Sequence, residues 1–287
     1  MGHARSHRRR DPVPGLGRCP RNQRRSNPCL RTKLIVDIQS KLPAHFRNTP
    51  CHEVLIGESG TRVFHLPGLG YLKVTTQTDY TLQPEKQRLE WLHGKLPVPE
   101  VLYFAEHDSQ QMMLISEIPG IPSFMEPFKG HFEEQVIHLL AEGLRTIHQV
   151  DIRACPFDHR LDTLLDMARQ NLAHPRPIAN TRWRGRSVAD LYAELMATRP
   201  IEDHQVFTHG DYCMPNILIA PETMTISGFI DWGHAGISDP YFDLALAARS
   251  IIRNFGEQWV SVFFEAYGLN EPVLRKISYY QLLDEFL

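Results

Sequence analysis

No stretch of this chain approaches the roughly 18 uninterrupted apolar residues that a membrane-spanning helix needs, so no membrane role is read from it. Cysteine is scarce: five among 287 residues, at positions 19, 29, 51, 155 and 213, an odd number without metal-type spacing. They read as reduced thiols, which points to a cytoplasmic protein rather than a disulfide scaffold. Residues 1–33 contain no aromatic side chain and no apolar run of the kind that forms a secretory signal. The turn Gly57-Glu58-Ser59-Gly60 lacks the Lys-Ser or Lys-Thr of a Walker loop, which removes that class of nucleotide enzyme. No internal repeat is visible.

What is present is a strong division of charge. The net charge is −2, but residues 1–33 hold nine Arg and Lys33 against Asp11, a net +9, which leaves −11 for the rest. Residues 201–287 alone carry twelve acids and four Arg or Lys. An acidic C-terminal region suits a polycationic substrate, which it attracts and steers. The basic segment has the composition of a disordered tail. Arg8-Arg9-Arg10 would be the place for nucleic-acid contact, but the lack of aromatics there argues against that function.

The patterning changes along the chain. Residues 51–75 alternate short apolar runs with glycine, a meander of antiparallel strands. A helix is expected from about Leu82 to His93, then strands near Val101–Phe104 and Met112–Ser116. From Phe132 the period turns helical, with Val136, Leu139, Leu140, Leu144 and Ile147 on one face. Ser187-Val188-Ala189-Asp190 reads as a capping box opening another helix, and further helices are expected over 244–253, 258–267 and 272–286. The fold class is therefore α+β: a small antiparallel-sheet lobe over 34–118 and a mainly helical lobe over 119–287, after the tail 1–33.

Three polar residues stand out in the second lobe. Asp211 and Asn216 are five residues apart, just after the apolar run Gln205-Val206-Phe207. Asp231, fifteen residues further, closes the strand Ile226–Ile230. Phosphoryl transfer to an alcohol needs such a set: a base to align the hydroxyl and hard oxygen ligands to hold Mg²⁺ between phosphates. In the first lobe, Lys73 alternates with Leu72 and Val74 and points away from them. Glu85 lies four residues before Leu89 and seven before Leu92, on their buried face, and a carboxylate there needs a cation. Lys73 is the candidate partner, whereas Glu90 reads as solvent-facing. His209 reads as a residue bracing its loop, Asp243 as a cap or loop brace near a helix start, and Cys213 as a small packing residue.

With these residues in hand, the chain resembles the aminoglycoside 3′-phosphotransferases, small resistance kinases related to protein kinases. The likeness runs from about Glu53 to Leu287. It includes Gly57-Glu58-Ser59-Gly60, Leu96-Pro97-Val98-Pro99, Cys155-Pro156-Phe157, the Asp211 loop and the terminal Leu283-Asp284-Glu285-Phe286. Family members usually start near the position of Leu34, so an extended reading frame competes with a native tail for residues 1–33. The resemblance implies a two-lobed protein-kinase-like fold using ATP and Mg²⁺. It gives Asp211 the role of catalytic base, Asn216 and Asp231 the metal, and Lys73 with Glu85 the phosphates. It also implies Ser59 in a phosphate-covering turn, Tyr71 stacked on adenine, and Ser116 and Ile118 reading the base edge through their backbones. Asp284, Glu285 and the terminal carboxylate of Leu287 would face the ammonium groups of the drug.

The chain also departs from that pattern. His234 and Pro240 stand where arginine is common, and residues 167–189 hold five arginines and no acid where many members carry an acidic loop. The leading expectation is phosphorylation of the 3′-hydroxyl of kanamycin- or neomycin-type aminoglycosides. The alternative keeps the fold but changes the acceptor to streptomycin or another small-molecule alcohol. A non-catalytic binding protein is the third reading, and the intact set Lys73, Glu85, Asp211, Asn216 and Asp231 argues against it.

Overall fold

The computed structural model describes residues 37–54, 61–75, 81–107, 110–175, 177–178, 180–201 and 204–287. The basic segment 1–33 and the turn Gly57–Gly60, with Ser59, lie outside the described residues. The chain divides into two compact units, Met1–Asn48 and Thr49–Leu287. In the first, residues 37–41 are helical, Ile38 and Leu42 are buried, and Lys41 pairs with Asp37 one turn earlier at 3.2 Å.

The second unit begins with a five-stranded antiparallel sheet: β1 (His52–Val54), β2 (Thr61–Leu66), β3 (Gly70–Thr75), β4 (Val101–His107) and β5 (Gln110–Ser116). Its spatial order is β1-β2-β3-β5-β4: β1 to β3 form the expected antiparallel meander, and β5 rather than β4 pairs with β3. Helix α1 (Gln83–Leu92) and the loop after it carry the chain past β3 to the far edge. The tight β4–β5 hairpin then brings β5 back to pair with β3, and Met112 to Ile115 of β5 are buried, as an interior strand requires. Gly70 makes the β3–β5 approach possible, because a Cβ there would stand 1.8 Å from the Ile115 carbonyl oxygen. Helix α1 has Pro84 in its first turn, where no intrahelical N–H is needed. Its buried stripe is Glu85, Arg88, Leu89 and Leu92, and Glu90 is exposed and paired to Lys86 at 2.6 Å.

The rest of the unit is mainly helical. Helix α2 (Glu133–His148) turns Val136, Ile137, Leu140, Leu144 and Ile147 into the core, and Leu139 sits at the edge of that stripe. Helix α3 (Leu161–Asn171) follows, then α4 (Val188–Ala197), opened by Ser187, whose hydroxyl accepts from the Asp190 N–H at 3.0 Å. Helices α5 (Tyr241–Asn254), α6 (Trp259–Tyr267) and α7 (Leu274–Asp284) close the chain, with α6 ending at Gly268 in a left-handed cap. Among the described residues no helix is long and apolar enough to cross a membrane.

Two small sheets are set among these helices. Strand β7 (Val206–Thr208) pairs with β10 (Gly236–Ser238), and β6 (Ile121–Pro122), β8 (Ile217–Ala220) and β9 (Thr225–Phe229) form a three-stranded sheet. Consequently the loop holding Asp211 and Asn216 joins β7 to β8, and the loop holding Asp231 joins β9 to β10. A sheet lobe with one helix, followed by a mainly helical lobe, is the α+β arrangement the sequence predicts.

Candidate active site

The β7–β8 loop is fixed by its main chain. The Asp243 carboxylate, fully buried on α5, accepts from the backbone N–H of His209 at 2.7 Å and of Gly210 at 2.8 Å. His148 of α2 meets the same carboxylate at 3.1 Å and the Tyr267 hydroxyl of α6 at 2.7 Å. Gly210 adopts φ +79°, and a Cβ there would fall 1.9 Å from the His234 carbonyl oxygen, so only glycine fits. Downstream, the Tyr212 hydroxyl donates to the Leu140 carbonyl at 2.7 Å, and the Ser250 hydroxyl receives the Met214 N–H at 2.9 Å.

His209 is bonded on both ring nitrogens. Its Nδ1 accepts the Asp211 N–H at 3.2 Å, and its Nε2 therefore donates to the Ile230 carbonyl at 3.1 Å. Burial pushes the imidazole below its ordinary range, which suits this neutral form. Both lone sites are used, so His209 braces the loop, as the sequence suggests. Burial, together with the neighbouring Asp211, pushes the Cys213 thiol well above its usual range and leaves it a packing residue.

Asn216 donates its side-chain amide to the Asp211 carboxylate at 2.9 Å and to the Asp211 carbonyl at 3.0 Å. Planarity of the amide then turns Oδ1 away from Asp211. The Ile230 N–H donates to the Asn216 carbonyl at 3.0 Å, tying this loop to the residue before Asp231. Asp231 itself has φ +68°, a conformation that costs a non-glycine residue about 1 kcal/mol or more.

Lys73 joins the two lobes chemically. Its ammonium donates to Glu85 at 2.6 Å and to Asp231 at 2.5 Å. Burial disfavours the ammonium, but Asp231 and Glu85 outweigh it and hold Lys73 charged well above the ordinary lysine range. The Lys73 ammonium in turn holds Asp231 below the usual carboxylate range. Half of the Asp231 side chain remains accessible, 55%, against 12% for Lys73 and 8% for Glu85. The acid has room for an incoming ligand; the pair behind it does not.

The donor set fits a small hard cation held partly by a nucleotide. Asp231 offers a carboxylate and Asn216 an amide oxygen, and Mg²⁺ takes one or two such protein ligands plus phosphates rather than a closed cage. Among the described residues there is no cluster of three or more His, Cys, Asp or Glu that would make a cage.

Tyr71 is half-buried, its ring stacked against His65 at 4.8 Å. The Ser116 N–H is committed to the Glu100 carbonyl at 2.8 Å, so only its carbonyl could serve a base edge. Ile118 lies against β9, close enough that a Cβ at Gly228 would meet its side chain.

The terminal acids divide. Asp284 pairs with Arg249 of α5 at 2.6 Å and is 26% accessible. Glu285 is only 3% accessible and accepts the Asn180 N–H at 3.1 Å, so it points inward. Burial raises the Asp284 carboxyl above its usual range despite Arg249, and it lies near enough to Asp211 to feel that charge. Asn171 donates to the Phe286 carbonyl at 2.9 Å, and Leu287 lies beside it at 3.5 Å. Sequence reasoning did not single out Arg249 or Arg88. A lone cation in the buried run Ala247-Ala248-Arg249-Ser250, or within the stripe 85-88-89-92, was the available signal.

The chain is similar to known proteins in sequence and in fold. A profile of the phosphotransferase enzyme family matches residues 71–280. The aminoglycoside 3′-phosphotransferase of Niallia circulans is 37% identical over 241 residues, 80% of this chain and 90% of that protein. The streptomycin 3″-kinase of Streptomyces griseus is 32% identical over 80% of this chain and 90% of its own length. Among solved structures, the aminoglycoside phosphotransferase APH(3″)-Id of Streptomyces rimosus superposes with TM-score 0.77 at 26% identity, covering 90% of this chain and 98% of that one. Its complex with ADP and streptomycin superposes with TM-score 0.73.

Proposed function

Because the chain belongs to the phosphotransferase enzyme family, as a kinase acting on an alcohol group, we propose that it phosphorylates the 3′-hydroxyl of kanamycin- and neomycin-type aminoglycosides, using ATP and Mg²⁺, in the cytoplasm. The observation that carries this reading is the continuous hydrogen-bonded path Glu85–Lys73–Asp231, linked through Ile230 to Asn216 and Asp211.

In this reading Asp211 receives the acceptor hydroxyl and takes its proton as the bond to the γ-phosphorus forms and the bond from that phosphorus to the leaving ADP oxygen breaks. Asn216 keeps that carboxylate aimed through its 2.9 Å bond. Mg²⁺, when bound, would neutralise charge on the phosphate oxygens, and Asp231 with the Asn216 amide oxygen would hold it. Lys73, oriented by Glu85, presents its ammonium to the nucleotide phosphates. Asp284 would offer a carboxylate to an ammonium of the drug beside Asp211. A transferred phosphate adds up to about −2 charge, which opposes binding of the drug to an anionic RNA target and would confer resistance.

The inward turn of Glu285 and the Arg249–Asp284 pair favour a second reading, an acceptor with fewer amines such as streptomycin. The 32% identity to a streptomycin 3″-kinase supports considering it. The test is purified protein with ATP, Mg²⁺ and each drug, with products located by NMR. Kanamycin A and neomycin should gain a 3′-phosphate, and tobramycin, which lacks that hydroxyl, should give no 3′ product and compete with kanamycin. Streptomycin as the only good acceptor would replace the first reading by the second.

A further inference from the structure

Arg88 is a charged residue that the chemistry above leaves without a task. It is only 7% exposed, and its guanidinium forms no ion pair with an Asp or Glu among the described contacts. Burying a cation this deeply costs several kcal/mol unless its donors are satisfied. The polar contacts it makes are all with neutral groups, drawn from three parts of the fold. Nε donates to the Ala235 carbonyl at 2.5 Å, Nη1 to the Pro84 carbonyl at 2.9 Å, and Nη2 faces the His159 Nε2 at 3.3 Å. The Phe157 ring lies under the guanidinium at 4.7 Å, a cation–π contact.

The placement of these contacts gives them meaning. Arg88 stands one turn after Glu85 on α1, and Ala235 stands three residues after Trp232, whose backbone amide lies near enough to Glu85 to favour its charged form. Helix α1 is thus tied to the segment 231–235 at two points. One is the carboxylate that holds Lys73, and the other is Arg88. The second point extends the attachment to His159 and Phe157, whose own backbones bond to Ile237 of β10. If the Arg88 contact opens, the polar tie left between α1 and the Asp231 loop is the Lys73 bridge, beside the apolar packing of Trp91 on Phe157 and Phe207.

We infer that Arg88 is a positioning residue for phosphoryl transfer: by clamping α1 to the Ala235 carbonyl it holds Glu85, and through it Lys73, at the distance from Asp231 that nucleotide phosphates require. This rests on the kinase reading above. Arginine suits the task because its planar fork reaches three acceptors at once, whereas lysine presents a single compact charge.

Two measurements test it. In the apoprotein, Arg88→Met should speed amide hydrogen exchange in α1 and residues 232–235 by about tenfold or more, with exchange in α2 and α5 unchanged. Arg88→Lys, which can still reach the Ala235 carbonyl, should recover part of that protection. Equal exchange in Arg88→Met and the parent protein overturns the inference, whatever the substrate proves to be. The second measurement is a double-mutant cycle on kcat/KM for ATP, with Lys73→Met as the other substitution. Arg88→Met should lower this ratio at least about tenfold in the parent and less than about twofold in the Lys73→Met background, because its effect is routed through Lys73. Equal losses in the two backgrounds would make Arg88 an independent stability residue and overturn the inference. A parent protein that transfers no phosphate would instead overturn the kinase reading, and the exchange result would still decide on the clamp.

Discussion

Asn216 holds Asp211 by two hydrogen bonds from one amide nitrogen, at 2.9 Å to the carboxylate and 3.0 Å to the carbonyl. The proposed base and one proposed metal ligand are therefore a single mechanical unit: moving either displaces the other.

Asp211→Asn keeps the shape of this unit but removes the proton acceptor. The variant should fold, bind nucleotide, and lose transfer by on the order of 10² to 10⁴-fold, the usual contribution of a general base. A kcat close to that of the parent protein would take the base role away from Asp211.

Asp243→Asn tests the brace behind the loop. Asparagine keeps one acceptor oxygen and would turn an NH₂ group towards one of the His209 and Gly210 amides, leaving buried donors unpaired. A loss of about 2–5 kcal/mol is expected, read as a lower urea midpoint, with activity falling as the loop loosens. An unchanged midpoint would show that the main chain of the loop holds itself.

The two terminal acids should behave differently although they are neighbours in sequence. Asp284 is partly accessible and feels the charge of Asp211, so Asp284→Asn should raise KM for an amine-rich acceptor about fivefold to fiftyfold while sparing KM for ATP, as loss of one charged contact does. Glu285 faces inward on the Asn180 N–H, so Glu285→Gln should lower the unfolding midpoint with little effect on acceptor KM. If the variants exchange these phenotypes, Glu285 rather than Asp284 meets the drug.

His159 sets an acid limit on stability. Burial first, and then the charge of Arg88, push its imidazole from 6.5 down to about 4. The folded state therefore resists protonation where the unfolded chain accepts it. Stability is fully present above about pH 6.5 and falls as the pH drops towards 4, by a total on the order of 3 kcal/mol from this residue. His159→Gln, which keeps an acceptor for Arg88, should flatten the curve of unfolding free energy between pH 7 and 4. Parallel curves for the two proteins would remove His159 as the cause.

Much of the site could be read in one dimension where local geometry controls it. The 3.6-residue period places Glu85 on the buried stripe of α1, a buried acid demands a cation, and the structure supplies Lys73 at 2.6 Å. The short spacing of Asp211 and Asn216 brings them into contact because a single turn joins them. Ser187 caps its helix for an equally local reason, whereas Asp243 braces a loop 34 residues earlier in the chain.

What escaped the sequence depends on distant partners. Lys73 meets Asp231 across 158 residues, and Glu285 turns inward because of a backbone amide 105 residues away. Neither contact leaves a periodic trace. The interior place of β5 follows from where α1 delivers the chain, which strand composition does not encode. Arg88 occupied a buried position of the helical period all along, but arginine is so often solvated that the pattern alone did not single it out.

The Lys73–Asp231 bond also bears on the order in which ligands can arrive. A divalent ion approaching alone meets a carboxylate already countered by an ammonium 2.5 Å away, and must compete with that resident charge. A nucleotide carrying the ion would bring phosphate oxygens able to accept the Lys73 hydrogen bond, which would leave the Asp231 carboxylate to the ion. At the proposed site the metal and the triphosphate would be linked ligands, each raising the affinity for the other.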